Sequence, residues 1–210
     1  MKKLLTYKFF KRLCDFILAS FLVVILIPIF VLIACIIKAN SRGPIFFKQR
    51  RVGKNKKPFS CFKFRTMHPE AEFMLKNLLK TNEDIQIEFE YNQKLFNDPR
   101  ITFIGKYLRF TSLDEIPQIF NVLKGEMSFI GPRPIIEEEI KRYENKFDIA
   151  FSVNPGMSGL WQVSGRNKLS YKRRVQLDVI YAKHLNLKLD LNIFFRTLGV
   201  ILLPFDRGAI

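Results

Sequence analysis

Residues 16–37 read FILASFLVVILIPIFVLIACII, an apolar run from Phe16 to Ile37 with no charged side chain and a single hydroxyl, at Ser20. As a helix it covers about 33 Å at ~1.5 Å per residue, close to the ~30 Å hydrocarbon thickness of a bilayer. The run is too long for the apolar core of a signal peptide, and no small-x-small cleavage pattern follows it. It reads as a membrane helix.

Pro28 stands near the middle of the run, where it removes a backbone donor and orphans the carbonyl of Val24. Both flanks are basic: Lys2, Lys3, Lys8, Lys11 and Arg12 precede the run, and Lys38, Arg42, Lys48, Arg50 and Arg51 follow it. Excess Lys and Arg favour the cytoplasmic side. A kinked span satisfies one flank; a helix broken at Pro28 that enters and leaves the same leaflet satisfies both. The residues leave these two arrangements open. No second apolar run of spanning length follows, and the heavier basic flank after the run, which continues through Lys54, Lys56 and Lys57, keeps residues 39–210 in the cytoplasm. Arg50 and Arg51, close to the insertion, would attract anionic headgroups.

The 210 residues, 48% of them hydrophobic, provide for one domain with a core beside the membrane segment. A formal net charge of +16 selects anionic partners: nucleic acid, lipid headgroups or phosphorylated substrates. Phe outnumbers Tyr and Trp, 22 against 6 and 1, which favours buried or lipid-facing rings over base-stacking platforms. Cys14, Cys35 and Cys61 form neither a C-x-x-C pair nor a zinc-ligand spacing, so a reducing compartment fits. His68 and His184 stand alone and read as surface or structural histidines.

Residues 41–67 alternate apolar and basic side chains around Gly43-Pro44 and Gly53-Lys54-Asn55, which predicts a short β-hairpin. Residues 69–95 have a helical composition with an acidic middle, a solvated excursion. Asp98-Pro99-Arg100 is a turn. Ser170–Leu185 predicts a helix, and Asp190 is the expected N-cap of another over Leu191–Leu203, closed by Pro204. This last helix is too short to span and too apolar to be fully exposed, so it packs into the core or lies in the membrane interface.

The chemistry concentrates in Arg109-Phe110-Thr111-Ser112-Leu113-Asp114-Glu115-Ile116-Pro117-Gln118. Ser112-Leu113-Asp114-Glu115 matches a helix capping box, a purely structural use of both polar ends. Pro117 weighs against that register, because it would lose a hydrogen bond at the fifth helical position. A helix starting at Asp114 puts Pro117 where a missing N–H costs little. Two loops complete the set of candidates. Gly131-Pro132-Arg133-Pro134 is a rigid turn with one guanidinium, and the stretch Pro155–Asn167, rich in glycine and hydroxyls, carries Arg166.

The blocks Phe-Lys-Phe-Arg-Thr-Met (62–67), Thr-Ser-Leu-Asp-Glu-Ile-Pro-Gln (111–118), Gly-Glu-Met-Ser-Phe-Ile-Gly-Pro-Arg-Pro (125–134) and Pro-Gly-Met-Ser-Gly-Leu-Trp-Gln-Val-Ser-Gly-Arg (155–166) occur in this order. Together they resemble the bacterial sugar transferase family, the monotopic polyprenyl-phosphate phosphoglycosyl transferases, in the form lacking additional amino-terminal membrane helices. The resemblance covers nearly the whole chain. It implies a helix-rich α+β fold with a re-entrant helix-break-helix insertion at Pro28, a small β-hairpin and interfacial amphipathic helices around a cytoplasmic active site. Residues 1–38 would be the insertion with its basic flank, and 39–210 the transferase domain at the bacterial cytoplasmic membrane.

The resemblance further implies that Asp114 and Glu115 are the catalytic dyad. Asp114 would attack the β-phosphorus of a UDP-sugar, UMP would leave, and undecaprenyl phosphate would take the phosphosugar. Mg²⁺ is the implied cofactor with Glu115 as its ligand. Arg109 and Arg166 would hold phosphate groups, with Lys63, Arg65 and Arg133 as further candidates for the same anionic pocket. The ending Pro204–Ile210 resembles members that transfer a hexose 1-phosphate such as galactose or glucose. A membrane-tethered nucleic-acid binder is the rival that the net charge allows, but no nucleic-acid-binding signature occurs.

Overall fold

The computed structural model describes residues 2–92 and 95–202. Its first half runs α1 (Lys2–Asn40), β1 (Phe46–Val52), β2 (Pro58–Phe64), α2 (Ala71–Thr81), α3 (Glu83–Asn92) and α4 (Phe103–Thr111). A 3₁₀ segment (Leu113–Gln118) leads into α5 (Ile119–Lys124), β3 (Ser128–Ile130), α6 (Ile140–Tyr143) and α7 (Phe147–Ala150). The chain then forms β4 (Gly156–Ser158), α8 (Tyr171–Lys183) and α9 (Leu187–Leu202). The helix-rich α+β architecture expected from the sequence is present.

β1 and β2 make the expected antiparallel hairpin, turning at Asn55 and Lys56 with φ of 54° and 63°. A second, parallel pair sets Ser128 of β3 against Gly156 of β4 and Ile130 against Ser158. Strand composition alone did not reveal it, because each strand has three residues. What permits it is glycine: a Cβ on Gly156 would run into the Gly131 backbone nitrogen.

The chain divides into two compact units, one of Met1–Leu26, Lys48–Phe62 and Pro117–Ala209, the other of Ile27–Phe47 and Lys63–Ile116. The division falls inside α1, next to Pro28. In the first unit Tyr143, Phe147 and Phe151 pack with Val52, Ile135 and Val175, and a neighbouring cluster joins Ile130, Val153, Val163, Tyr181 and Ile193. The second unit closes on Ile33, Ile37, Phe64 and Leu108.

Each part of α1 is anchored within its own unit. In the first, Arg12 donates to the Val122 and Leu123 carbonyls at 2.5 and 2.8 Å, and Asp15 accepts the Phe129 N–H at 3.2 Å. Asp190 collects Tyr7 and Lys11 of α1 at 2.6 and 2.7 Å and the Tyr181 hydroxyl at 2.7 Å. In the second, Ile33 and Ile37 enter the core. Between these anchors Phe16, Phe21, Val24, Val31 and Leu32 are exposed. The helix is long and apolar enough to cross a membrane, and 11% of its most apolar window is buried. Pro28 lies within this helix, which runs from Lys2 to Asn40.

Residues 69–92 form two helices because Asn82 accepts the Ile85 N–H at 3.1 Å and starts α3 afresh. α2 has no buried residue, as expected of a surface excursion. Ser170 caps α8 through the Arg173 N–H at 3.3 Å. Asp190 is not the cap expected for α9: Asn186 takes that place by accepting the Leu189 N–H at 2.9 Å. The helix therefore starts earlier, and Asp190 lies buried inside its first turn. On α9 Ile193 is fully buried, whereas Leu191 and Phe195 are exposed.

Candidate active site

The dyad is held by the turn between α4 and the 3₁₀ segment. Ser112 ends α4 in the left-handed conformation, φ 59°, with its N–H on the Arg109 carbonyl at 3.1 Å. It closes one helix rather than capping the next, so the capping-box reading does not apply. Leu113–Gln118 is a 3₁₀ turn with Pro117 inside it, and regular α-helix resumes only at Ile119. The expected α-helical start at Asp114 is thereby corrected: Pro117 is accommodated by the tighter turn. Asp114 retains 8% of its surface, and Glu115 is half-buried.

Three residues of one short segment of the same unit, Lys63, Arg65 and Thr66, divide the work around this turn. Lys63 places its ammonium 2.8 Å from the Glu115 carboxylate. Thr66 is buried and accepts the Arg109 Nε–H at 2.9 Å, while its carbonyl accepts the Thr102 N–H at 3.0 Å. α4 can approach so closely because a Cβ on Gly105 would collide with the Thr66 carbonyl. Burial lowers the Arg109 pKa, and the carboxylates of Asp114 and then Asp98 oppose that shift. A guanidinium stays charged under such a shift, so Arg109 is a fixed cation beside Asp114.

Arg65 has a different occupation from the one the sequence assigned. Its guanidinium donates to the Arg42 carbonyl at 2.7 Å and to the Ser41 carbonyl and hydroxyl, both at 2.8 Å. It thus stabilises the negative end of α1. Arg51 likewise bonds the Pro134 carbonyl at 3.2 Å and lies 3.8 Å from Glu139, so of the two arginines expected to face headgroups Arg50 alone is exposed.

An anchored carboxylate, a second carboxylate with its lysine, and a fixed guanidinium form a site suited to handling phosphate esters. The profile of the family described as Bacterial sugar transferase matches residues 6–204. The chain belongs to the bacterial sugar transferase family.

Among relatives of this sugar transferase, the UDP-galactose-lipid carrier transferase of Erwinia amylovora is 44% identical over 93% of this chain and 41% of its own length. The exopolysaccharide production protein ExoY of Rhizobium meliloti is 40% identical over 95% of this chain and 87% of its own. The undecaprenyl-phosphate galactose phosphotransferase of Salmonella typhimurium is 43% identical over 93% and 41%. The chain therefore spans about two fifths of the Erwinia and Salmonella proteins and most of the Rhizobium one. Membership leaves the nucleic-acid reading without support.

The sugar transferase carries its other two candidate arginines in the unit that contains β3 and β4. Arg133 is half-buried between two buried prolines, and the Pro132 carbonyl accepts the Gly156 N–H at 2.8 Å. Arg166 is left-handed, φ 51°, with its Nε on the Gln162 carbonyl at 3.3 Å. Its loop is stapled by Arg174, which stacks over Trp161 at 4.8 Å and donates to the Leu169 carbonyl at 3.2 Å. Sequence reasoning missed Thr66 and Asp98 as neighbours of Arg109. The signal for Thr66 was its place in the Phe-Lys-Phe-Arg-Thr-Met block. Pro204–Ile210, read as a sugar clue, lies outside the described residues.

Proposed function

We propose that this protein transfers a sugar 1-phosphate from a UDP-sugar to undecaprenyl phosphate and releases UMP. The observation that carries the reading is Asp114, a nearly buried carboxylate beside the fixed charge of Arg109, in a chain of this family. The names of the Erwinia and Salmonella relatives, a lipid carrier transferase and an undecaprenyl-phosphate phosphotransferase, point to the same substrates, with galactose or a related hexose as the sugar.

In the first step an Asp114 oxygen attacks the β-phosphorus of the UDP-sugar. The bond from that phosphorus to the bridging oxygen breaks, and UMP carries away the electron pair. In the second step a phosphate oxygen of undecaprenyl phosphate attacks the same phosphorus and the Asp114–phosphorus bond breaks. The product is a polyprenyl diphosphate sugar, and the carboxylate is regenerated. A covalent intermediate splits one difficult displacement into two. Arg109 neutralises phosphate charge at the nucleophile, and Arg166 and Arg133 are assigned to the remaining phosphate groups.

Among the described residues no three His, Cys, Asp or Glu side chains group into a metal cage. The donor chemistry of Asp114 and Glu115 nevertheless suits Mg²⁺, which takes one or two carboxylates and completes its shell with substrate phosphates and water. Glu115 would hold the ion, which supplies charge neutralisation of the pyrophosphate when bound. Lys63 orients the Glu115 carboxylate before substrate arrives.

The enzyme would be monotopic at the bacterial cytoplasmic membrane, with α1 bending at Pro28 to return to the cytoplasmic leaflet. Basic residues on both flanks of the apolar run and the change of packing unit at Leu26–Ile27 support this topology. The exposed Phe103, Tyr107 and Phe110 of α4, and Leu191 and Phe195 of α9, suit helices lying in the interface.

A panel of UDP-sugars with undecaprenyl phosphate and Mg²⁺, read by UMP release, tests the reaction. A radiolabelled phosphosugar retained on the protein and lost in Asp114→Asn tests the intermediate. Absence of UMP from every UDP-sugar would remove the reading.

A further inference from the structure

The hairpin tip, the end of α5 and the loop before β4 enclose an open bowl of about 440 Å³, wholly within the unit that contains β3 and β4. Lys54, Lys57 and Lys124 line it together with Asn154, Pro58 and the buried Phe59. The neighbouring hairpin lysine, Lys56, meets Asp148 at 3.2 Å. Among the described residues no carboxylate pairs with Lys54, Lys57 or Lys124. Glu126, the one acid in the bowl, accepts the Asn121 amide at 2.7 Å and is turned to that partner. Lys124 lies over the Phe62 ring at 4.6 Å, and Asn154 donates to the Gly125 carbonyl at 2.8 Å, so both side chains are held.

The bowl also has a defined neighbour. Gly125, in its lining, faces the Arg12 guanidinium, 3.2 Å from where a Cβ would stand. Arg12 precedes the apolar run by one helical turn, at the level where a helix leaves lipid for headgroups. Three lysines without a carboxylate partner among the described residues outnumber the one acid of the lining, and with Pro58 and Phe59 beside them they suit a phosphoryl group carrying a short apolar stem. We propose that this bowl is a second anion site of the protein, one that binds a phosphoryl group, with the phosphodiester of an anionic lipid headgroup as its occupant. The site is built without Asp114, Glu115 or Arg109 and does not depend on the transfer reaction. Its effect is to fix the protein at headgroup depth, on the same unit as the first part of α1.

The test uses the full chain purified in non-ionic detergent, titrated with phosphatidylglycerol or with phosphatidylcholine and read by native mass spectrometry. Wild type is expected to retain one phosphatidylglycerol and to discriminate against phosphatidylcholine. Each Lys→Gln change is expected to weaken retention about fivefold, and the triple variant Lys54→Gln/Lys57→Gln/Lys124→Gln roughly a hundredfold, with loss steepened by salt. The matching triple Lys→Arg variant should keep retention, which guards against a folding defect in the Gln variant. Competition with inorganic phosphate separates the sources. Displacement by phosphate shows that the phosphoryl group alone is recognised; resistance shows that the glycerolipid stem takes part. Equal retention of the two lipids by wild type, or unchanged phosphatidylglycerol retention in the Gln triple variant, overturns the proposal. UMP release measured in parallel reports on the transfer reaction separately.

Discussion

Lys63 and Glu115 form an ion pair at 2.8 Å with 18% and 23% of their side chains exposed, joining the segment that follows the hairpin to the turn that carries Asp114. Such a half-buried pair costs desolvation on both sides, so removing either partner leaves the other without its compensating contact. Whatever approaches Asp114 meets a Glu115 whose orientation Lys63 has already set.

A coupled pair gives non-additive mutants. Lys63→Met and Glu115→Gln are each expected to lower the rate of UMP release by ten- to a hundredfold. The double variant should fall little below the worse single one, a coupling of about 1–3 kcal/mol. Glu115→Gln should also raise the Mg²⁺ concentration needed for half-maximal rate. Additive losses would show that the pair is not coupled, and an unchanged Mg²⁺ requirement in Glu115→Gln would detach Glu115 from the metal.

Thr66 sets the direction of Arg109 through a 2.9 Å hydrogen bond to a charged donor, an interaction worth roughly 1.5–3 kcal/mol. Thr66→Val keeps the shape and removes the acceptor; its kcat for UMP release should drop about tenfold or more. Thr66→Ser restores the hydroxyl and should recover most of the rate. If Val and Ser behave alike, Arg109 does not rely on this contact. Arg109→Lys cannot reproduce the Nε donor and should resemble Thr66→Val.

The long apolar helix, the hairpin and the acidic excursion were legible because each is a local pattern: an unbroken apolar run, alternation around a turn, a polar helical stretch with neither Gly nor Pro after Pro69. The β3–β4 pair was not, since Ser128–Ile130 and Gly156–Ser158 are too short to show periodicity and are joined by the Gly131–Gly156 contact at long range. The dyad was legible as residues and not as geometry. Pro117 argued correctly against the capping box, yet the left-handed Ser112 and the 3₁₀ turn come from packing of α4 on the segment after β2. Arg65 shows the converse limit: a cation in a phosphate-like block gives no sign of which carbonyls it will meet, and Ser41 and Arg42 are two dozen residues away.

Arg65 predicts a stability defect rather than a binding defect. Arg65→Ala removes three hydrogen bonds from the end of α1 and from a site with 6% exposure, at a cost of about 2–4 kcal/mol. The measured consequence should be a lower Tm in detergent, with the KM for UDP-sugar changed less than twofold in the surviving folded enzyme. A large rise in KM without loss of Tm would return Arg65 to the phosphate pocket.

Asp178 makes stability depend on pH in a direction opposite to that of most carboxylates. It is fully buried, its Oδ2 accepts the Tyr143 hydroxyl at 2.7 Å, and its Oδ1 has no hydrogen-bond partner among the described residues. Burial pushes its pKa from 3.8 up to about 8, against the Tyr143 hydrogen bond that lowers it. Below about pH 4 the group is protonated in folded and unfolded chains alike. Between about pH 4 and pH 8 the unfolded chain has lost the proton and the folded chain keeps it, so stability falls as pH rises. Above about pH 8 both forms are ionised and this contribution stays lost. Asp178→Asn retains an acceptor for Tyr143 and removes the titration. The variant should therefore gain Tm relative to wild type as pH rises from about 5 to 8, by at least the ~3 °C that 1 kcal/mol gives a domain of this size. A Tm difference independent of pH would mean that Asp178 is ionised in the fold.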